Sequence, residues 1–109
     1  MSEPTLQEVF GADAVQTATT FTITKANLPR LTPSANNTPE SLLTGILLQS
    51  QVALTKTAFD SNTDQSLYID SGYPGFTTRG TNNDSYRVDQ LTVNLAKPDT
   101  ASVIDPDNY

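Results

Sequence analysis

Apolar and polar positions along this chain change rhythm several times, and each change predicts an element. Leu6, Val9 and Phe10 fall on one side of a turn in Thr5-Leu-Gln-Glu-Val-Phe-Gly11, where Thr5 as N-cap, Glu8 three residues on and Gly11 at the end frame a short helix. So short a helix does not persist alone in water and needs something to lie on. Thr17 to Thr24 then alternate, with Thr19, Phe21 and Ile23 on one face and Thr20, Thr22 and Thr24 on the other, which predicts a half-buried strand. Residues 25–37 carry two prolines and no period, an irregular loop with Leu28 and Leu31 as anchors.

The main helix opens at Thr38-Pro-Glu-Ser41, with Thr38 as N-cap, Pro39 in the first helical position and Glu40 at the positive end of the dipole, and should run to about Leu54. Leu42, Ile46 and Ala53 join Leu43, Leu47 and Leu54 in a broad apolar stripe, whereas Leu48 and Val52 lie on a separate flank beside Gly45. A helix with two apolar sides is either clamped within its own domain or gives its second flank to a neighbouring subunit.

The remainder reads as β structure. Ser66 to Asp70 precede Tyr73-Pro-Gly-Phe76, which predicts a type II turn and a hairpin returning through Phe76 to Arg79. After the polar loop Gly80 to Asp84, Tyr86 and Val88 share one parity and Leu91, Val93 and Leu95 the other; a bulge near Asp89-Gln90 would keep all five on a buried face. From Lys97 onward prolines and acids replace any period. The expected fold is α+β: a small antiparallel β-sheet or sandwich packed on one main helix, with an N-terminal arm and short helix over 1–16, a single domain over 17–97 and an extended acidic C-terminal arm over 98–109.

Composition narrows what such a fold does. The 109 residues allow one core, and with 36% hydrophobic residues that core is thin. There is no His and no Cys, which removes His-dependent triads, thiol nucleophiles, His/Cys zinc sites and disulfides together. Six basic against twelve acidic side chains give a net charge of −6, unfavourable for nucleic acid and for anionic membrane surfaces. The start lacks the basic and apolar regions of a signal peptide, so the expected compartment is a cytoplasm. Thr, Ser, Asn and Gln total 40 residues, a surface that orders with less entropy loss under a partner than a Lys- and Glu-rich one.

Few segments carry chemistry. Asp60-Ser-Asn62-Thr-Asp64 matches the first ligand positions of a calcium loop, but Gln65 stands where Gly is required and Ser71 where a bidentate Glu belongs, so the segment reads as a turn-rich connection. Arg79 and Arg87, near Tyr68, Tyr73 and Tyr86 in sequence, form either a cation-π surface for a partner or isolated ion pairs. The carboxylates Asp105 and Asp107 and a Ser/Lys dyad using Lys25, Lys56 or Lys97 have no local signature of catalysis. No catalytic, cofactor or metal residue is expected.

The succession Leu-Gln-Glu-Val-Phe-Gly near the start, the Thr-rich segment, the helix opening Asn-Thr-Pro-Glu-Ser-Leu-Leu, and the ending Val-Asp-Gln-Leu-Thr-Val-Asn-Leu to Ile-Asp-Pro-Asp-Asn-Tyr resembles small structural proteins of tailed bacteriophages, in particular those of cyanobacterial hosts. The resemblance implies a virion part assembled in the bacterial host cytoplasm: a capsid cement or decoration protein first, with a neck or tail component as the alternative. It also implies arms that lace onto neighbouring subunits, a homo-oligomer in the assembly and a major capsid protein or other virion protein as partner. A small acidic cytoplasmic binder or inhibitor is the competing class; it would need its acids on one face, and here they are spread from Glu3 to Asp107. Expected interface residues are Leu6 and Phe10 of the first helix, Leu48 and Val52 of the main helix, and Val103, Ile104 and Tyr109 of the C-terminal arm.

Overall fold

The structure is a computed structural model that describes residues 2–99 and 103–109. Its helices begin where their caps demand. In α1 (Leu6–Phe10) the Thr5 hydroxyl accepts the Glu8 N–H while the Glu8 carboxylate accepts the Thr5 N–H, each at 3.1 Å, which completes the capping box. In α2 (Pro39–Ala53) the Thr38 hydroxyl accepts the Ser41 N–H at 3.0 Å, and the helix gives way at Leu54. A further helix, α3 (Lys56–Ser61), absent from the sequence reading, starts from the Thr55 hydroxyl, which accepts the Ala58 N–H at 3.0 Å.

α1 lies across α2, with the Gln49 amide donating to the Glu8 carbonyl at 3.4 Å, so the segment expected as an N-terminal arm joins the body. Leu28 is buried from the loop side against Gly45, where an added Cβ would stand only 3.2 Å from the Leu28 Cβ. Gly45 is therefore what lets a loop side chain reach the helix backbone. Among the described residues the buried apolar side chains are Ala14, Leu28, Leu54 and Ile69. The Ile69 N–H donates to the Leu54 carbonyl at 2.8 Å and ties the last stretch of chain to the end of α2.

Among the described residues all strand pairing is antiparallel and two-stranded, so the architecture is α+β with one main helix and small sheets rather than a sandwich. β1 (Val15–Gln16) pairs with β2 (Phe21–Thr22). The strand predicted over 17–24 is thereby corrected: Thr17 to Thr20 form a turn in which the Thr17 N–H donates to the Thr20 carbonyl at 2.8 Å and the Thr17 hydroxyl accepts the Thr20 N–H at 3.0 Å. Short hydroxyl side chains that bond the nearby backbone compete with strand ladders, and here they win. Phe21 reaches the body by meeting Phe10 edge-to-face at 4.8 Å.

The second half is one long β-ribbon in two stretches. β3 (Leu67–Ser71) pairs with β6 (Leu91–Leu95), and β4 (Gly75–Arg79) pairs with β5 (Asp84–Val88). The hairpin expected at Tyr73 to Phe76 does not form; the chain runs on through it. Gly75 lacks the positive φ of a type II turn, whereas Gly80 (φ 82°) and Asn83 (φ 52°) both take left-handed conformations and reverse the chain there. Gly72, Tyr73 and Pro74 oppose only Asp89 and Gln90 between the two stretches, so the extra residue of the bulge lies on the 72–74 side and not, as expected, at Asp89-Gln90. It does not bury the five predicted side chains: Tyr86, Val88, Val93 and Leu95 are exposed and Leu91 is half-buried. Every residue from 70 to 90 is exposed. The radius of gyration of 16.5 Å exceeds the about 13 Å of a compact chain this long, because the ribbon projects.

The predicted extended C-terminal arm over 98–109 includes residues 100–102, which lie outside the described residues. The rest is not simply extended: Lys97 donates to the Val103 carbonyl, Asp105 caps a 3-10 turn over Pro106–Asn108, and Tyr109 comes to lie half-buried at the body.

Candidate interaction surface

Directly opposed residues of an antiparallel pair share a face. In β4 and β5 one face therefore carries Gly75 and Val88, Thr77 and Tyr86, and Arg79 and Asp84; the other carries Phe76 and Arg87, Thr78 and Ser85. The Arg79 guanidinium stands 5.1 Å from the centre of the Tyr86 ring, while Arg87 bonds Asp89 at 2.8 Å. Arg79 thus makes a cation-π contact within the ribbon and Arg87 an ion pair. Phe76 is 73% exposed on its face and Tyr73, at the bulge, 92%.

Two grooves flank the body. One, of about 660 Å³, lies between α2 and the ribbon base and is lined by Arg30, Leu47, Leu48, Pro74, Arg87 and Leu91 among others. The other, of about 470 Å³, lies between α1 and the start of β3; Leu6, Val9, Phe10, Leu67 and Tyr109 give it apolar walls, and Glu3 is the charged side chain that lines it.

The structure separates the seven predicted interface residues into three groups. Leu6, Phe10 and Tyr109 are half-buried and come together in the α1 groove. Leu48 and Val52 stand one turn apart on the same side of α2 but differ in burial: Leu48 is half-buried under the ribbon base and Val52 is strongly exposed. Val103 and Ile104 are exposed together beside the Lys97 contact. Sequence reasoning missed Phe76 and Val88 as surface groups and read Tyr86 two ways, on a buried face and in a cation-π surface. The available signal was scarcity: residues 70–90 contain four large apolar side chains, too few to build a buried face.

Titrating groups do not converge on a reactive centre. Backbone and hydroxyl hydrogen bonds from Thr5 hold the Glu8 carboxyl below the ordinary glutamate range. Its hydrogen bond to Asp60, helped by that charge, holds Lys56 above the ordinary lysine range. Both shifts reinforce the charge that the group already carries at neutral pH. The three lysines considered for a dyad face Ser34's carbonyl (Lys25), Asp60 (Lys56) and Val103's carbonyl (Lys97). In the Asp60 to Asp64 segment Asn62 accepts the Asp64 N–H and donates to the Ser2 carbonyl, which closes a turn. Among the described residues no group of three or more carboxylates is placed to hold a metal ion, and no helix is long and apolar enough to cross a membrane. Comparison of the chain with protein-family models, curated proteins and solved structures found no match.

Proposed function

We propose that this chain is a structural subunit of a tailed-phage virion, a capsid cement or decoration protein that stabilises the shell through protein–protein contacts. The observation that carries the reading is the ribbon: residues 70–90 are exposed throughout, yet they display Tyr73, Phe76, Tyr86 and Val88. A lone two-stranded ribbon is marginally stable in water, and large apolar side chains exposed on both of its faces call for a partner to cover them. The Thr- and Asn-rich surface and the resemblance to small phage structural proteins support the same reading. The partner is the major capsid protein or another virion protein, met in the host cytoplasm during assembly; neither nucleic acid nor membrane takes part, and no reaction is catalysed.

Mass spectrometry of purified virions is expected to find the chain at a fixed ratio to the capsid protein, and purified protein is expected to cosediment with shells that lack it. Absence from the particle together with failure to cosediment would overturn the reading.

A further inference from the structure

We infer that the open edge of β6 pairs antiparallel with the β6 edge of a second copy of this chain, joining two β3–β6 ladders into one four-stranded sheet. The inference goes beyond the virion reading and stands without it, on the ladder and its sequence. The Ala96 N–H donates to the Ser66 carbonyl and the Gly72 N–H to the Gln90 carbonyl, each at 2.7 Å, so the residues bonded to the β3 side are Gln90, Thr92, Asn94 and Ala96. Leu91, Val93 and Leu95 turn their N–H and C=O groups the other way, and these meet no backbone partner among the described residues. The far edge of β3 is closed: the Ile69 N–H donates to the Leu54 carbonyl at 2.8 Å, and the Leu67 carbonyl accepts the Gln65 amide at 2.7 Å. Strand edges are normally protected by charge, proline or a bulge, and Leu91–Leu95 carries none of these.

The sequence of the edge selects its occupant. Asp89-Gln-Leu-Thr-Val-Asn-Leu-Ala-Lys97 mirrors itself about Val93, Leu91 matching Leu95 and Thr92 matching Asn94, while its two ends carry opposite charges. Laid antiparallel with Val93 opposite Val93, each copy sets Asp89 opposite Lys97 of the partner subunit, so two opposite-charge pairs form at once. Bonding parity agrees, because the residues with free backbone groups then face one another as hydrogen-bonded pairs. A slip of two residues either way keeps that parity but sets Lys97 opposite Arg87, or Asp89 opposite Asp99, like against like. Apolar surface points to the same register. Val93 and Leu95 oppose Ile69 and Leu67 and extend the side of the sheet that buries Ile69, yet they remain 41% and 43% exposed because β6 is the outer strand. In the pairing Val93 lies beside Val93 and Leu95 beside Leu91 of the partner subunit, which covers that overhang.

Sedimentation equilibrium of the purified chain tests this. The wild type is expected to gain mass with concentration and to stop at the dimer, because a two-fold contact closes on itself. Asp89→Lys or Lys97→Asp alone places like charges at both ends of the paired edges and should weaken the dimer about tenfold, with unchanged far-UV circular dichroism. Combining both changes in one chain, or mixing the two single variants, sets opposite charges together again and should recover the association. Val93→Pro, whose lost N–H lies outside the β3 ladder, should abolish it. Should Val93→Pro also unfold the chain, the charge exchange decides. A wild type that stays monomeric, single variants that dimerise like the wild type, or an exchange that recovers nothing would overturn the inference. Cosedimentation with shells keeps it apart from the virion reading: a monomeric wild type that binds shells sinks the pairing alone, whereas a dimer that ignores shells sinks the virion role alone.

Discussion

Gln65 shows how much one polar side chain does in so thin a core. It is 4% exposed, and its amide donates to the Thr55 carbonyl at 3.2 Å and the Leu67 carbonyl at 2.7 Å, joining the cap of α3 to the start of β3. Gln65→Leu removes both bonds; the Thr55 carbonyl keeps the Phe59 N–H at 3.0 Å while the Leu67 carbonyl loses the shorter of the two amide bonds, so the change should cost about 1–2 kcal/mol in denaturant unfolding. Gln65→Glu should be worse at neutral pH and recover in part on acidification, since only the protonated carboxyl donates; its folded-state pKa is raised, so stability falls as pH rises through it. Gly45 is the second sensitive position. A Cβ there would sit 3.3 Å from Leu28 Cδ1, and Gly45→Val, which adds branching as well, should destabilise by about 1–3 kcal/mol. A Gly45→Val variant that unfolds at the wild-type midpoint would show that the loop yields.

At the scale of elements, what was legible in the sequence was what local chemistry specifies. The capping box of α1, the N-cap and proline of α2 and the anchor Leu28 all stand where the pattern placed them, because caps act within four residues. Strand pairing was not legible. Thr17 to Thr20 alternate like a strand, but their hydroxyls satisfy their own backbone, and Tyr73-Pro-Gly-Phe76 spells a turn that the pairing of β3 with the distant β6 bypasses. α3 was missed because its apolar content is slight, Ala58 and Phe59, and Phe59 finds its partner, Tyr68, only in the fold, at 4.8 Å between ring centres. For the candidate site, the groove residues Leu6, Phe10 and Tyr109 were foreseen and the ribbon residues were not. The α1 cap yields a prediction of its own. Thr5→Ala should lower stability by about 1 kcal/mol. The Glu8 carboxyl has a folded-state pKa depressed first by the Thr5 backbone N–H, which Ala keeps, and second by the Thr5 hydroxyl, which Ala loses. Its contribution is present above the ordinary glutamate range, disappears as pH falls through the depressed value, and is reduced but not abolished in the variant. A thermal-melt series from neutral to acid pH should therefore show a smaller acid-dependent loss in Thr5→Ala than in the wild type.

The whole molecule is a small acidic body with a long ribbon, 51 Å along its greatest extent, and that shape sets how it meets a protease. Trypsin needs an exposed, locally pliable lysine or arginine. Arg79 meets the requirement at the ribbon tip: the bond it shares with Gly80 begins the reversal that Gly80 and Asn83 make, with no body residue packed over it. Local openings of an exposed two-stranded element require little free energy, so cleavage there should precede unfolding of the body. Lys25 and Lys56, by contrast, have their ammonium groups engaged by the Ser34 carbonyl and by Asp60 on better-packed segments. Limited trypsin digestion of the dilute protein is expected to give an early single cut after Arg79, read as two fragments by mass spectrometry. On assembled shells the same cut should slow at least tenfold, because a docked ribbon has lost the openings that admit the enzyme. Equal cleavage rates in dilute and shell-bound protein would show that the ribbon remains uncovered, and its exposed aromatic residues would then need another explanation.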